Sequence, residues 1–313
     1  MTRETKSQGN ARLDAEALQK LVPSLGAQSK ARLLGVLNDS SLRGKIPEDE
    51  VRAILRAEQR SVDELMIDLL PIAQTYSQSQ ISHYRVGAVV RGASGSLYLG
   101  TNIEMPGQML GFSVHGEQCA LTNAFMQGEG GLTSLAVTAA PCGHCRQFLN
   151  ELPNSADLKI LVKGSAPTTL ARLLPESFGP TDLGVKERLF NGKKTGLQLT
   201  SSASDALALA ALEAAGKSYA PYTKALSGIV VLSSTKVMYQ GSYIENAAYN
   251  PSLSPLQAAL VGLIMAGEKP GNISAVLLVE LENAPISQKS AAQAVLDSIA
   301  PHVTLRRVTA RLK

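Results

Sequence analysis

Two short segments restrict this chain more than anything else in its 313 residues: His115-Gly116-Glu117 and Pro141-Cys142-Gly143-His144-Cys145. They supply one imidazole, two thiols in a Cys-x-x-Cys pair, and a carboxylate two residues past the imidazole. Tetrahedral zinc takes nitrogen and sulfur ligands, and a catalytic zinc site keeps one position open for water. His115, Cys142 and Cys145 make three protein ligands, so the fold has to bring both segments to one point. A metal held there lowers the pKa of water towards neutrality. Glu117 then reads as a general acid/base rather than a ligand. Alone, the Cys-x-x-Cys would also suit a redox pair or half of a structural zinc site. The combination meets each requirement of a hydrolytic centre separately.

The local patterns agree. HGEQCALTNAF reads as the start of a helix entered from a polar loop. PCGHCRQFLNEL reads as another, with Pro141 at its start, where a missing N–H costs nothing. Thiols at a helix N-terminus ionise more readily, as a zinc thiolate must.

Composition narrows the setting. With 44% hydrophobic and 18% charged residues the chain can bury ordinary cores, and its length suggests about two domains. No apolar run approaches the roughly 20 residues of a membrane span, and MTRETKSQGN lacks the apolar stretch of a secretory signal. Two of the three cysteines are taken by the metal, which excludes a disulfide framework. A cytoplasmic protein is expected. Thirty basic and 26 acidic residues, net +4, indicate neither a nucleic-acid nor a membrane partner. LRRVTARLK at the C-terminus reads as a strand with one solvated face. Aromatics are 4% with no Trp, which leaves little to stack on single-stranded bases. A small-molecule substrate fits better than a polymer.

Along the chain, residues 1–10 are polar and expected to fray. Helical periodicity runs over 13–58, then over 61–77 with a break at Pro71. Residues 85–104 read as a hairpin around Ala93-Ser94-Gly95-Ser96. The His115 helix, a strand at 132–140, the cysteine helix and a strand at 157–164 follow. Strands that alternate with helices pair in parallel and are covered by those helices, and sites gather where such strands end. A proline- and glycine-containing stretch at 167–200 reads as an extended linker with short ordered pieces. The order then returns: helix 204–215, hairpin 227–245, helix 255–267, strand 272–282, helix 290–300, strand 302–312.

This is an internal repeat with support at the level of letters. Gly100-Thr101-Asn102-Ile103-Glu104 matches Gly241-Ser242-Tyr243-Ile244-Glu245, and Gln118-Cys119-Ala120-Leu121 matches Gln257-Ala258-Ala259-Leu260. At the metal the copies part. Ser254 stands where His115 would be, Leu256 where Glu117 would be, and no Cys-x-x-Cys follows. The second copy keeps the scaffold without the chemistry. The expected division is a helical segment at 1–60, a catalytic domain at 61–181, a linker at 182–198 and a degenerate domain at 199–313.

With the metal segments, the Asn-x-Glu upstream and the metal-free copy in place, the chain resembles the cytidine deaminases, TAAPCGHCRQFLNEL being its most specific part. It is similar to the dimeric type with a catalytic and a degenerate C-terminal domain. The resemblance implies a duplicated α/β/α sandwich with mixed sheets, one Zn2+ per subunit, and hydrolytic deamination of cytidine and deoxycytidine in pyrimidine salvage. It implies zinc on His115, Cys142 and Cys145, proton transfer by Glu117, and the ribose on Asn102 and Glu104. It places Tyr84 against the pyrimidine, Ile103 and Gly116 in the substrate pocket, and the loop around Phe178 in the neighbouring subunit's pocket of a homodimer. Gly116 departs from the alanine the resemblance leads one to expect, a change that should spare the chemistry and loosen the helix start.

On the residues themselves, an amide and a carboxylate two apart at a strand end share a face and can meet both needs of a sugar hydroxyl. Cys119, one turn after His115, is expected to be buried and unliganded, and His144 to point away from the metal. A deaminase acting on RNA or DNA would need basic surface and stacking aromatics. A zinc scaffold without activity would have no use for Glu117.

Overall fold

The computed structural model describes residues 13–201 and 205–313; the expectation for residues 1–10 lies outside them. Helices α1 (Ala15–Leu21), α2 (Ala27–Asn38) and α3 (Glu48–Glu58) come first. Asp14 caps α1 by accepting from Ala17 N–H at 2.7 Å, and α3 opens on Glu48, Asp49 and Glu50, which suit the positive end of the helix dipole. Between α2 and α3 lies a two-residue strand, β1 (Lys45–Ile46), too short to show alternation. α4 (Val62–Asp68) starts in a capping box made by Ser61 and Glu64. The chain breaks at Leu69 before α5 (Leu70–Thr75), which has Pro71 in its first turn.

The expected hairpin is β2 (Gly87–Gly92) and β3 (Leu97–Thr101). After it come α6 (Gly116–Met126), β4 (Leu132–Val137), α7 (Gly143–Leu149) and β5 (Lys159–Val162). The stretch read as a linker holds β6 (Thr168–Thr169), α8 (Leu170–Leu173) and β7 (Leu197–Leu199). The second half then runs α9 (Ala206–Gly216), β8 (Ser227–Ser233), β9 (Met238–Ser242), α10 (Pro255–Met265), β10 (Ile273–Leu281), α11 (Lys289–Ile299) and β11 (Leu305–Leu312).

These strands make two sheets, ordered β1-β3-β2-β4-β5-β6 and β7-β11-β10-β8-β9. The run β3-β2-β4-β5 recurs as β9-β8-β10-β11. In each, a hairpin meets an antiparallel neighbour and then a parallel one. The fold is α/β with mixed sheets, and it is duplicated. β7 pairs antiparallel with β11, so the second sheet takes a strand that begins inside the stretch read as linker. Its Leu-Gln-Leu alternation covers what would otherwise be an open strand edge.

Helices α6 and α10 lie against each other, α6 also packing on β3 and β2, and α10 on β9 and β8. Every residue of α10 is buried, as an all-round apolar helix requires. Glycine permits the close approach of each helix to its hairpin. A Cβ on Gly100 would lie 2.2 Å from the Ala120 nitrogen, and one on Gly241 would lie 2.0 Å from the Pro255 oxygen. Two glutamines then cross between the halves in mirrored fashion. Gln118 Nε2 donates to the Pro251 carbonyl at 3.1 Å, and Gln257 Nε2 donates to the Phe112 carbonyl at 2.9 Å. Among the described residues no helix is long and apolar enough to cross a membrane.

Gly100→Ala should therefore cost about 2 kcal/mol or more, the upper range for overpacking. Urea denaturation checks this against Gly107→Ser, whose neighbourhood is open although its positive φ adds a small strain of its own.

Candidate active site

His115 is the residue from which α6 starts. It follows Val114, which exchanges two 2.8 Å backbone hydrogen bonds with Ile103, so the hairpin sets the height at which the imidazole enters. Cys142 is the corresponding residue of α7, with Cys145 one turn further on the same face. The turn before it is clamped by Arg146, whose Nε donates to the Pro141 carbonyl and Nη1 to the Leu173 carbonyl, each at 2.7 Å.

Two helix N-termini thus bring three donors together. Cys142 Sγ lies 3.4 Å from His115 Nδ1, Cys145 Sγ lies 3.3 Å from it, and the two sulfurs are 3.6 Å apart. Tetrahedral zinc needs such atoms roughly 3.5–3.8 Å apart. The donor set therefore fits this metal both in chemistry and in spacing. Among the described residues this is the one group of three such side chains whose ligand atoms meet, all within 4.8 Å. The neighbouring Cys145 sulfur, with the His115 ring, lowers the Cys142 pKa to about 4, whereas the Cys142 sulfur and burial raise that of Cys145. Cys142 is exposed and Cys145 buried.

Glu117 is 5% exposed and stays outside the ligand group. Burial raises its pKa, outweighing hydrogen bonds from its own N–H and from the Cys145 thiol. Cys119 is also outside; it is fully buried, and burial pushes its thiol up to about 12. His144 stacks obliquely on His115 with ring centroids 5.2 Å apart, and desolvation, then the His115 charge, lower its pKa.

Asn102 and Glu104 shape the loop that carries Tyr84. Asn102 Oδ1 accepts from Ser77 Oγ at 2.7 Å and Val86 N–H at 2.9 Å, while Nδ2 donates to the Tyr84 carbonyl at 2.8 Å. Glu104 Oε2 accepts from the Ile81 and Ser82 N–H groups at 2.7 and 3.1 Å, and Oε1 accepts from the Ser82 hydroxyl. Burial works against the Glu104 carboxylate, but these bonds outweigh it and keep its pKa below the ordinary value. An amide has four hydrogen-bonding places and a carboxylate about four. Three of each are used, which leaves one donor on Asn102 and one acceptor on Glu104.

Ile103 lies between these two residues. Its side chain is buried, and its N–H and C=O bond to Val114, which fixes the spacing of Asn102 and Glu104. Tyr84 is 58% exposed and Phe178 48%. The Phe178 carbonyl is held by Gln147 Nε2 at 2.8 Å and Asn150 Nδ2 at 3.2 Å. Ser77, Ser82 and Arg146 were not singled out in the sequence. Only contacts across more than 20 residues, or to a backbone carbonyl, reveal them.

The glycine at 116 has a local reason. A Cβ there would lie 2.7 Å from Val86 Cγ1, so valine at 86 fills the space an alanine methyl would need. Gly116→Ala should cost about 1 kcal/mol. Combined with Val86→Ala, the loss should fall short of the sum of the two single losses by a similar amount, as read from thermal unfolding.

Comparison with known proteins agrees with both halves of this picture. Residues 60–157 and 170–293 each match the cytidine and deoxycytidylate deaminase zinc-binding region. A relative from Vibrio cholerae (strain O395), named cytidine deaminase, is 41% identical over 93% of this chain and 96% of its own length. One of the same name from Pectobacterium carotovorum is 42% identical over 87% and 91%. Another, from Vibrio vulnificus, is 44% identical over 77% and 81%.

Proposed function

The chain belongs to the cytidine deaminase family, and on that premise we propose how its residues divide the hydrolysis of cytidine to uridine and ammonia. The observation that carries the reading is the meeting of His115, Cys142 and Cys145 beside a buried, non-ligand Glu117. Bound by those three side chains, zinc supplies the Lewis acidity that makes water reactive near neutral pH. Glu117 takes the proton from the attacking water and delivers it to the ring nitrogen beside the reacting carbon. The carboxylate then takes the proton of the newly attached hydroxyl and passes it to the amine, so that the C–N bond breaks as the carbonyl forms and ammonia leaves. Proton transfer by one positioned group typically contributes about 10²–10⁴-fold.

The remaining donor on Asn102 and acceptor on Glu104 match one sugar hydroxyl, which can give and take one hydrogen bond. A site that reads a single hydroxyl has no group set aside for the other, which supports turnover of deoxycytidine as well as cytidine. In this reading Tyr84, exposed on the loop these residues hold, covers the pyrimidine, and Gly116 lines the pocket at the helix start.

Exposed apolar side chains lie on the segments that carry the site: Ile81, Tyr84, Met109, Leu110 and Phe178. They support a homodimer in which the Phe178 loop lines the partner's pocket. In this reading residues 61–181 form the catalytic domain, 182–198 the linker and 199–313 the domain without metal ligands, with the helical segment before them. Two thiolate ligands suit the reducing cytoplasm, and the product suits pyrimidine salvage.

Purified protein given cytidine, deoxycytidine, cytosine and CMP tests this by loss of pyrimidine absorbance and release of ammonia. Turnover of the two nucleosides is expected, with about one zinc per chain. Glu117→Gln should retain that zinc and lose at least about 10²-fold in kcat. Full activity in that variant would remove Glu117 from the mechanism. Sedimentation of the free protein as a monomer would remove the shared pocket.

A further inference from the structure

The half of the chain without metal ligands is tied to the other half through groups that lead to those ligands. The His115 N–H donates to Gln118 Oε1 at 3.2 Å, and the same side chain reaches Pro251. At the far end of α7, Asn246 Nδ2 donates to the Gln147 carbonyl at 2.8 Å. Glu151, six residues after Cys145, is 0% exposed. Its Oε1 accepts from the Ala247 N–H, and its Oε2 from the hydroxyls of Tyr219 and Tyr222, all at 2.7 Å.

A buried carboxylate is costly unless its hydrogen bonds are complete, and an apolar residue would hold the two halves together without that cost. What three charge-assisted bonds add is direction. All three donors belong to the second half. Tyr219 and Tyr222 stand on its counterpart of the pocket loop, where Glu245 accepts from the N–H groups of Tyr222 and Thr223 as Glu104 does from Ile81 and Ser82, and Ala247 follows Glu245 by two residues. The second half has kept the loop and turned it towards α7.

We propose that Glu151 is a positioning residue for the metal site, through which Tyr219, Tyr222 and Ala247 of the metal-free half fix the helix that carries Cys142 and Cys145. This rests on the metal site read above. Its removal loosens the thiolate geometry while leaving the three ligands themselves in place.

The test uses full-length, zinc-loaded protein with Tyr222→Phe and Glu151→Gln, and with Glu280→Gln as control. Glu280 is equally buried, bonded to Arg307 and to the Gln288 N–H at the start of α11, far along the chain from any metal ligand. Two readouts are followed: the rate of zinc transfer to a colorimetric chelator, and the absorption bands of the cobalt-substituted protein. Roughly tenfold faster transfer with shifted cobalt bands is expected for the first two variants, the lower end for outer partners of metal ligands. Glu280→Gln should lower the melting temperature and change neither readout. Unchanged transfer and bands in both Tyr222→Phe and Glu151→Gln would overturn the proposal, as would an equal change in Glu280→Gln. Wild-type protein that holds no zinc would instead overturn the metal site itself.

Discussion

Helices α6 and α10 packed against each other between two sheets are what the rest of the structure depends on. α10 is buried throughout and α6 from Gly116 to Ala124, and each sits so close to its hairpin that only glycine fits at Gly100 and Gly241. That closeness sets the start of α6 against the end of β3, which places His115 level with the loop after β4. Cys142 and Cys145 arrive on that loop's helix. The metal site is thus a consequence of helix-on-sheet packing, and the arrangement of ligands is present in the protein itself.

The same packing in the second copy supports no metal, and the structure shows what replaced it. Ser254 caps α10 in a capping box with Gln257, the ordinary use of a hydroxyl at that position. At the start of α11, where the first copy has its thiols, Glu280 accepts from the Gln288 N–H and the Ser287 hydroxyl and pairs with Arg307. A carboxylate neutralised by an arginine satisfies the helix end that a thiolate and a metal satisfy in the other copy. Loss of the ligands left no orphaned polar groups at these positions, and the pocket loop of this half became a contact for α7.

The three side chains that could hold a metal, both hairpins and the repeat were legible in the sequence because each is local. A spacing of two or three residues, a strand alternation or a helix period carries the signal. What escaped reading is non-local. β1 and β7 are too short for a period and exist because a neighbouring sheet edge accepts them. Asn102 and Glu104 were legible as a pair, yet the loop they hold lies more than 15 residues upstream. Ile103 was expected in the pocket by resemblance, and the bridge to Val114 that holds it has no local signal. Glu151 sits in a segment whose pattern is that of a helix end; its partners lie 68 to 96 residues later.

X-ray absorption at the zinc edge of the loaded protein bears most directly on the central claim, an open three-ligand site set up by the fold. Two sulfurs, one imidazole nitrogen and one light atom not supplied by the protein are the expected ligands. A third sulfur, which only Cys119 could give, or a second imidazole, which would point to His144, would mean a closed site. Either would contradict the account.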